Sequence, residues 1–306
     1  MDTYIKRVRT ESGDLQIDYN ALANLPIINN NLLINSDFRN PINQRDQKSY
    51  TGGSNRVYTI DRWCLAATDS GRTLEVFNGY IKYSNPNTSY QGFFVQYFEK
   101  ARANDNYTIT VNVKNVTGSV WVGNLISDKT TGTAWGNSTK FRLQKGINVF
   151  TFTGEVLGLY FQASTSSNVE LYWVKLEQGA ASTSFVPRIY AEEVALCRRF
   201  YQVETLYNAD IVCFLHKRNT GLYSGVKHFE PMRAVPTVSR SGNFYIEQYN
   251  SSGQIYATME NSISSCEMVP QWSELRFMIE LPTVDPISYL AVSSESVVFR
   301  FDAEIY

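Results

Sequence analysis

The chain has 306 residues, about twice the usual domain length of roughly 150, so two domains are the first expectation. Hydrophobic residues make up 43% and charged residues 19%, which excludes a disordered chain, and 20 Tyr with 17 Phe favour strands. The 28 Lys and Arg against 29 Asp and Glu give a net charge of -1, so no positive field attracts phosphates and nucleic acid is not an expected partner.

No apolar run in the sequence is long enough for a membrane-spanning helix, so neither a signal segment nor membrane insertion is predicted. The four cysteines are isolated from one another, and free cysteine is usually a small core residue. We therefore predict four buried free thiols, at Cys64, Cys197, Cys213 and Cys266.

Residues 1–29 are polar and mostly aperiodic, and they cannot fold alone. Ile17, Leu22 and Leu25 fit one face of a short helix capped by Asp18 and ended by Pro26. We expect this segment to be an attachment or oligomerisation arm that contacts a neighbouring subunit or a larger particle.

Residues 30–187 consist of short alternating runs separated by Gly, Asn, Ser and Thr. Alternation of apolar and polar residues is clearest at residues 107–114. In such a strand the apolar side chains face the core and the polar side chains face water. The apolar members of that run are Tyr107, Ile109, Val111 and Val113. Many short strands with such turns predict a β-sandwich.

Residues 188–306 begin with a change of period, because Tyr190, Val194, Cys197 and Tyr201 recur at helical spacing. This pattern predicts one short linking helix. Alternation then returns in Leu275–Leu281 and in Val297–Ile305, which predicts a second β-sandwich. The fold class is therefore all-β.

The sequence contains no recognisable catalytic motif. His216 and His228 are the only near-neutral acid–base side chains, and no serine or cysteine hydrolase, zinc, calcium-loop or nucleotide motif occurs. We therefore predict no enzyme, no metal site and no cofactor. A glycosidase stays open, because its two carboxylates need no fixed spacing in sequence.

Aromatic side chains in or near polar loops are the remaining candidates for ligand contact, since a sugar ring stacks its C–H face on Trp or Tyr. Trp63 and Trp173 lie in alternating strands and are predicted to be core. The candidate ligand-binding residues are Trp135, Trp121, Tyr50 and Trp272.

Three stretches resemble structural proteins of tailed bacteriophages and prophages, in particular tail-fibre and receptor-binding proteins. They are ESGDLQIDYNALANLP at 11–26, NLLINSDFRNPINQR at 31–45 followed by YTIDRW at 58–63, and VKLEQ at 174–178 with STSFVPRIYAEEVALCRRFYQ at 182–202. PMRAVPTV at 231–238 and FDAEI at 301–305 fit the same pattern. The second stretch looks like the opening of a carbohydrate-binding-module-like jelly roll.

The resemblance implies a homotrimeric virion appendage, assembled in the host bacterial cytoplasm, with residues 1–29 contacting other virion proteins. Residues 30–187 would be the jelly roll and would bind host surface polysaccharide. Some modules of that class hold a calcium ion, but here Arg39 follows Phe38 and the closing strand reads Leu171–Val174, so the ligands are missing. The alternatives are a structural virion part without ligand, such as a head fibre, decoration protein or baseplate adaptor, and a glycan depolymerase or esterase.

Overall fold

The computed structural model describes residues 6–10, 13–17, 30–53, 56–66, 71–126, 139–219, 222–249, 255–260, 267–280, 287–292 and 295–304. Strands β1 (Lys6–Thr10) and β2 (Gly13–Ile17) form an antiparallel hairpin. Ile17 therefore ends a strand, and its predicted place in a helix was wrong, because the preceding residues give it a strand partner. The rest of the predicted helix lies outside the described residues.

Ten strands between residues 49 and 178 form two layers. They are β3 (Ser49–Thr51), β4 (Val57–Tyr58), β5 (Cys64–Ala66), β6 (Thr73–Phe77), β7 (Tyr80–Asn85), β8 (Gly92–Thr117), β9 (Val120–Leu125), β10 (Lys140–Arg142), β11 (Gly146–Ala163) and β12 (Ser167–Gln178). The front sheet contains β4, β5, the first part of β8, the last part of β11, β9 and β10. The back sheet contains the remaining parts of β11 and β8, followed by β12, β7, β6 and β3.

Strands β8 and β11 belong to both sheets. They pair along nearly their whole length, and the register shifts near Val156, between the pairs Gly154 with Asp105 and Gly158 with Tyr97. A shift of this kind bends and twists the strands locally. The same two strands therefore leave one layer and enter the other, which gives the jelly-roll sandwich.

The core of this sandwich confirms the alternation read from the sequence. Tyr107, Ile109, Val111 and Val113 are at most 2% exposed. Trp63 is fully buried at the centre, with its ring stacked 4.8 Å from that of Phe94. Trp173 is buried as predicted, but it lies on the outer side of the back sheet, where the Phe185 ring stacks on it at 4.4 Å.

Helix α1 (Tyr190–Arg198) is the predicted linking helix. Glu192 and Glu193 lie in its first turn and Arg198 in its last, which suits the helix dipole. Cys197 is its buried residue, whereas Tyr190 is 62% exposed and Tyr201 begins the next strand. The predicted apolar face was therefore wrong at both ends, because the helix has only nine residues.

Ten strands follow in two sheets with their own core. They are β13 (Tyr201–Tyr207), β14 (Ile211–Asn219), β15 (Leu222–His228), β16 (Thr237–Ser241), β17 (Phe244–Tyr249), β18 (Ile255–Glu260), β19 (Glu267–Pro270), β20 (Glu274–Glu280), β21 (Ile287–Val292) and β22 (Ser296–Asp302). The sheet orders are β13-β22-β16 and β18-β17-β21-β14-β15-β20-β19. Phe277 and Phe299 are fully buried and their rings meet edge to face, as the alternation predicted.

Cys64, Cys197 and Cys213 are buried and form no disulfide among the described residues, as predicted, and Cys266 lies outside those residues. No helix in the part of the chain that the structure describes is long and apolar enough to cross a membrane. The all-β fold class is confirmed, with jelly roll, linking helix and C-terminal sheets in the predicted order.

A buried ionic junction joins the jelly roll to the end of the chain. Arg62 Nη1 lies 2.6 Å from Glu304 Oε2, and the Arg62 backbone N–H donates to Glu304 Oε1 at 3.2 Å. Arg45 lies within 3.7 Å of the same carboxylate and 3.5 Å from Asp61. Because both Asp61 and Glu304 have fully buried side chains, these charges are held away from water.

Candidate functional site

The outer face of the front sheet follows from strand alternation. Phe94 on β8, Val122 on β9 and Phe161 on β11 point into the core between the two sheets. Their neighbours in sequence must therefore point outward, because successive side chains of a strand lie on opposite faces. The outward set includes an aromatic side chain on each of three adjacent strands, namely Phe93 on β8, Tyr160 on β11 and Trp121 on β9.

Four of the outward side chains form a row across the sheet. Phe93 is opposite Gln162, Gln162 is opposite Trp121, and Trp121 is opposite Arg142. Phe93 and Trp121 are half-buried, while Arg142 is exposed. With strands about 4.8 Å apart, the row spans roughly 14 Å, which is long enough for more than one sugar ring.

Polar groups surround Trp121 within this row. Lys140 Nζ lies 5.2 Å from the centre of the Trp121 ring and 3.4 Å from Gln162 Oε1. Gln162 Nε2 donates to Gln91 Oε1 through a short hydrogen bond. The Lys140 ammonium and the exposed Arg142 form no ion pair with any acid that the structure describes. The face is thus an aromatic surface flanked by amides and two cations.

Below the row, the outer face is packed by a small apolar cluster. Tyr160 is 3% exposed, and its ring lies over Gly123, where an added Cβ would come within 2.7 Å of the ring. Phe93 meets Tyr160 edge to face at 5.9 Å. Burial raises the pKa of Tyr97 to about 12, although the Arg56 guanidinium 4.6 Å from its ring opposes the shift. This cluster fixes the aromatic side chains of the row from beneath.

We call the row together with Lys140 and Gln91 the aromatic face. It contains one of the four predicted ligand residues, Trp121. Tyr50 was placed in a loop by sequence but lies in β3, 4% exposed, with its hydroxyl bonded to Asn43, because its neighbours pair with β6. Burial raises the pKa of Tyr50 to about 12 and leaves its ring little surface for a ligand.

The other two predicted residues lie elsewhere. Trp272 is 64% exposed and stands between β19 and β20, where its carbonyl accepts from Met232 at 2.9 Å. It shares no sheet with Trp121. Trp135 lies outside the described residues.

Sequence reasoning missed Phe93, Gln162, Lys140 and Arg142. Phe93 and Phe94 are consecutive residues within 30–187, where short strands were predicted, and consecutive residues of a strand point to opposite faces. The signal that was missing is the pairing order, since β11 lies between β8 and β9 in the sheet although β9 follows β8 directly in the sequence.

The groups considered for catalysis do not converge on an accessible cleft. His216 and His228 are exposed on strands β14 and β15, and His228 Nδ1 is 3.9 Å from Glu274. Asp61 and Glu304 share Arg45, and burial raises the pKa of Asp61 to about 7. Both carboxylates are closed to solvent, so a polysaccharide cannot reach them. Among the described residues, no cluster of three or more His, Cys, Asp or Glu could hold a metal ion.

Comparison with known proteins gives structural similarity alone. No protein-family model and no curated protein matches the sequence. A CBM4 structure aligns with 47% of this chain and 98% of its own, at 16% identity and a TM-score of 0.29. A family 30 carbohydrate-binding module covers 55% and 98%, at 11% identity and a TM-score of 0.28. The tandem CBM22-1–CBM22-2 domain of Paenibacillus barcinonensis Xyn10C covers 92% and 99%, at 10% identity and a TM-score of 0.26.

Proposed function

We propose that the chain binds a host cell-surface glycan through the aromatic face, as part of a bacteriophage tail-fibre or receptor-binding appendage. The observation that carries the glycan part is the placing of Trp121 beside Lys140 and Gln162 on the outer side of the front sheet. A half-exposed indole flanked by hydrogen-bonding side chains suits a ligand that has both a C–H face and hydroxyl groups.

Binding follows from ordinary side-chain chemistry. A sugar ring stacks its C–H face on the Trp121 indole, which removes apolar surface from water. Gln162 and Gln91 offer amide donors and acceptors to the hydroxyls, and Lys140 offers ammonium donors. Since the row already lies on paired strands, little ordering entropy is lost on binding.

The virion part of the proposal rests on the sequence resemblance of residues 11–26, 31–63 and 174–202 to tail-fibre and receptor-binding proteins. In that reading the protein is a homotrimer located in the virion, and residues 1–29 attach it to other virion proteins. Three linked faces would bind a repeating polysaccharide far more strongly than one, because the second contact becomes intramolecular.

A glycan array tests the binding role. The wild-type protein is expected to bind a subset of bacterial surface glycans, and Trp121→Ala should weaken its Kd about tenfold by removing the stacking surface. Trp272→Ala is the matched control, because it removes an equally large and more exposed indole from the other part of the chain. Flat arrays with a folded sample, or an equal loss in both variants, would refute the aromatic face and favour a structural virion part.

Two further measurements test the remaining parts of the proposal. Light scattering on the full chain should give three times the 34.9 kDa of the monomer, and removal of residues 1–26 should abolish assembly or particle attachment. Antibody labelling should place the protein at the distal tail. Host polysaccharide incubated with the protein should keep its length, whereas shortened products would show a depolymerase.

A further inference from the structure

A cavity of about 590 Å³ lies where the jelly roll meets helix α1. Its walls come from residues 31–34, from residues 96–102 of β8 and from the end of the helix at Leu196 and Arg199. The volume is within the range of small-molecule sites, about 300–1,000 Å³. None of its lining residues belongs to the aromatic face, so it is a separate place on the molecule.

Positive charge dominates the lining of this cavity. Among the described residues that line it, Glu99 is the one acid, against five cationic side chains. These are Arg62, Lys100, Arg102, Arg188 and Arg199. Since the whole chain has a net charge of -1, this concentration is local and does not reflect the composition.

Ion pairs neutralise three of the five cations. Arg188 pairs with Glu193 at 3.1 Å, Arg199 with Glu99 at 3.0 Å, and Arg62 with the Glu304 carboxylate at the buried junction. Lys100 and Arg102 are exposed and pair with no acid among the described residues. Five cations and three carboxylates leave two positive charges at the cavity.

One of the paired cations, Arg62, is buried in the wall of the cavity. The Arg62 side chain is 2% exposed, and its Nε has no hydrogen-bond partner in the described part of the chain. This N–H is closed to solvent and costs free energy as long as it has no acceptor. Phe98 is half-buried and supplies apolar surface to the cavity, whereas the Phe200 ring is 1% exposed and packs 3.5 Å from the Arg62 guanidinium carbon.

From these observations we infer that the cavity binds an anionic group, a phosphate or a carboxylate, carried on a compact polyol or sugar. The exposed Lys100 and Arg102 attract the charge, and the half-buried Phe98 contacts the carbon skeleton. This site does not depend on the aromatic face and adds a second kind of ligand to the proposed function.

Calorimetric titration at low salt tests the inference, because exposed charge contacts are strongest there. The probes are glycerol 3-phosphate, glucuronate and, as the uncharged reference, glycerol. At least one of the two anions should bind, while glycerol should not. Binding of glycerol 3-phosphate indicates a phosphate site, and binding of glucuronate indicates a carboxylate site. The double variant K100Q/R102Q should weaken Kd about tenfold by removing both unpaired charges.

Two double variants with the same loss of charge serve as controls. K48Q/K145Q changes exposed lysines outside the cavity, and K140Q/R142Q changes the cations of the aromatic face. Both should bind the anion like the wild type, and thermal unfolding should show that all variants are folded. The inference would be overturned if neither anion binds. It would also be overturned if a control variant loses as much affinity for the anion as K100Q/R102Q does. A loss confined to K140Q/R142Q would move the anion to the aromatic face.

Discussion

Substitution of Glu304 by Gln should destabilise the protein by breaking the buried junction. Its side chain is fully buried, and it contacts the Arg62 guanidinium at 2.6 Å and the Arg45 guanidinium at 3.7 Å. Glutamine keeps the size of the side chain but removes the charge. Arg62, whose side chain is only 2% exposed, then stays buried without its counter-ion.

The expected loss in the free energy of unfolding is about 3 kcal/mol. Breaking a buried pair by removing one partner costs about 3–5 kcal/mol, and the lower end applies because the Gln carbonyl still accepts from Arg62. With urea m-values of about 2–3 kcal/mol/M, the unfolding midpoint should fall by about 1–1.5 M.

Urea unfolding followed by tryptophan fluorescence measures this loss. The matched control is Glu230→Gln, because Glu230 forms an exposed pair with Arg198 in which the side chains are 53% and 38% exposed. That substitution should cost less than about 1 kcal/mol. Replacing both junction partners by apolar residues, R62M/E304L, should recover most of the stability.

A midpoint for Glu304→Gln no lower than that of Glu230→Gln would refute the reasoning. Such a result would mean that water reaches the Arg62 guanidinium and that the junction contributes no more than a surface pair.

Three further predictions concern the jelly roll. Gly123→Ala should lower stability by about 1–3 kcal/mol in urea unfolding, because the new Cβ would come within 2.6 Å of the Thr139 carbonyl and 2.7 Å of the Tyr160 ring. Phe94→Ala should cost about 3–5 kcal/mol by the same assay, since Phe94 is fully buried and packs on Trp63; a loss below 1 kcal/mol would contradict this core. Burial raises the pKa of Asp61 to about 7, so the folded state keeps a proton that the unfolded chain releases near the usual pKa of 3.8. The free energy of unfolding should therefore fall as pH rises from about 4 to about 7, and Asp61→Asn should remove that part of the fall.

The strands were predictable because the alternation of apolar and polar residues along the sequence indicates which side chains are buried. Each apolar member of the run from Tyr107 to Val113 is buried, and Phe277, Phe299 and Phe301 are buried in the C-terminal sheets as their alternation predicted. The division of β8 and β11 between two sheets was not predictable, because alternation carries no information on where a strand bends or what it pairs with.

The candidate site was predictable only in part. Trp121 was selected because it precedes a polar loop, and it does lie on an outward face. Tyr50 was selected by the same reasoning and is buried, because polar neighbours in sequence do not prevent a side chain from packing under a strand pair. The partners of Trp121 come from β10 and β11, which only the folded topology brings beside it.

The long β8–β11 ribbon has a consequence for how the jelly roll opens. Since residues 92–97 and 105–113 of one strand pair with β11 in the two layers, neither layer can separate without pulling on backbone bonds of the other. Amide hydrogens of both layers should therefore exchange with solvent as one cooperative unit rather than sheet by sheet. A load applied to Trp121 would accordingly be distributed through the whole sandwich and not only through the strand that bears it.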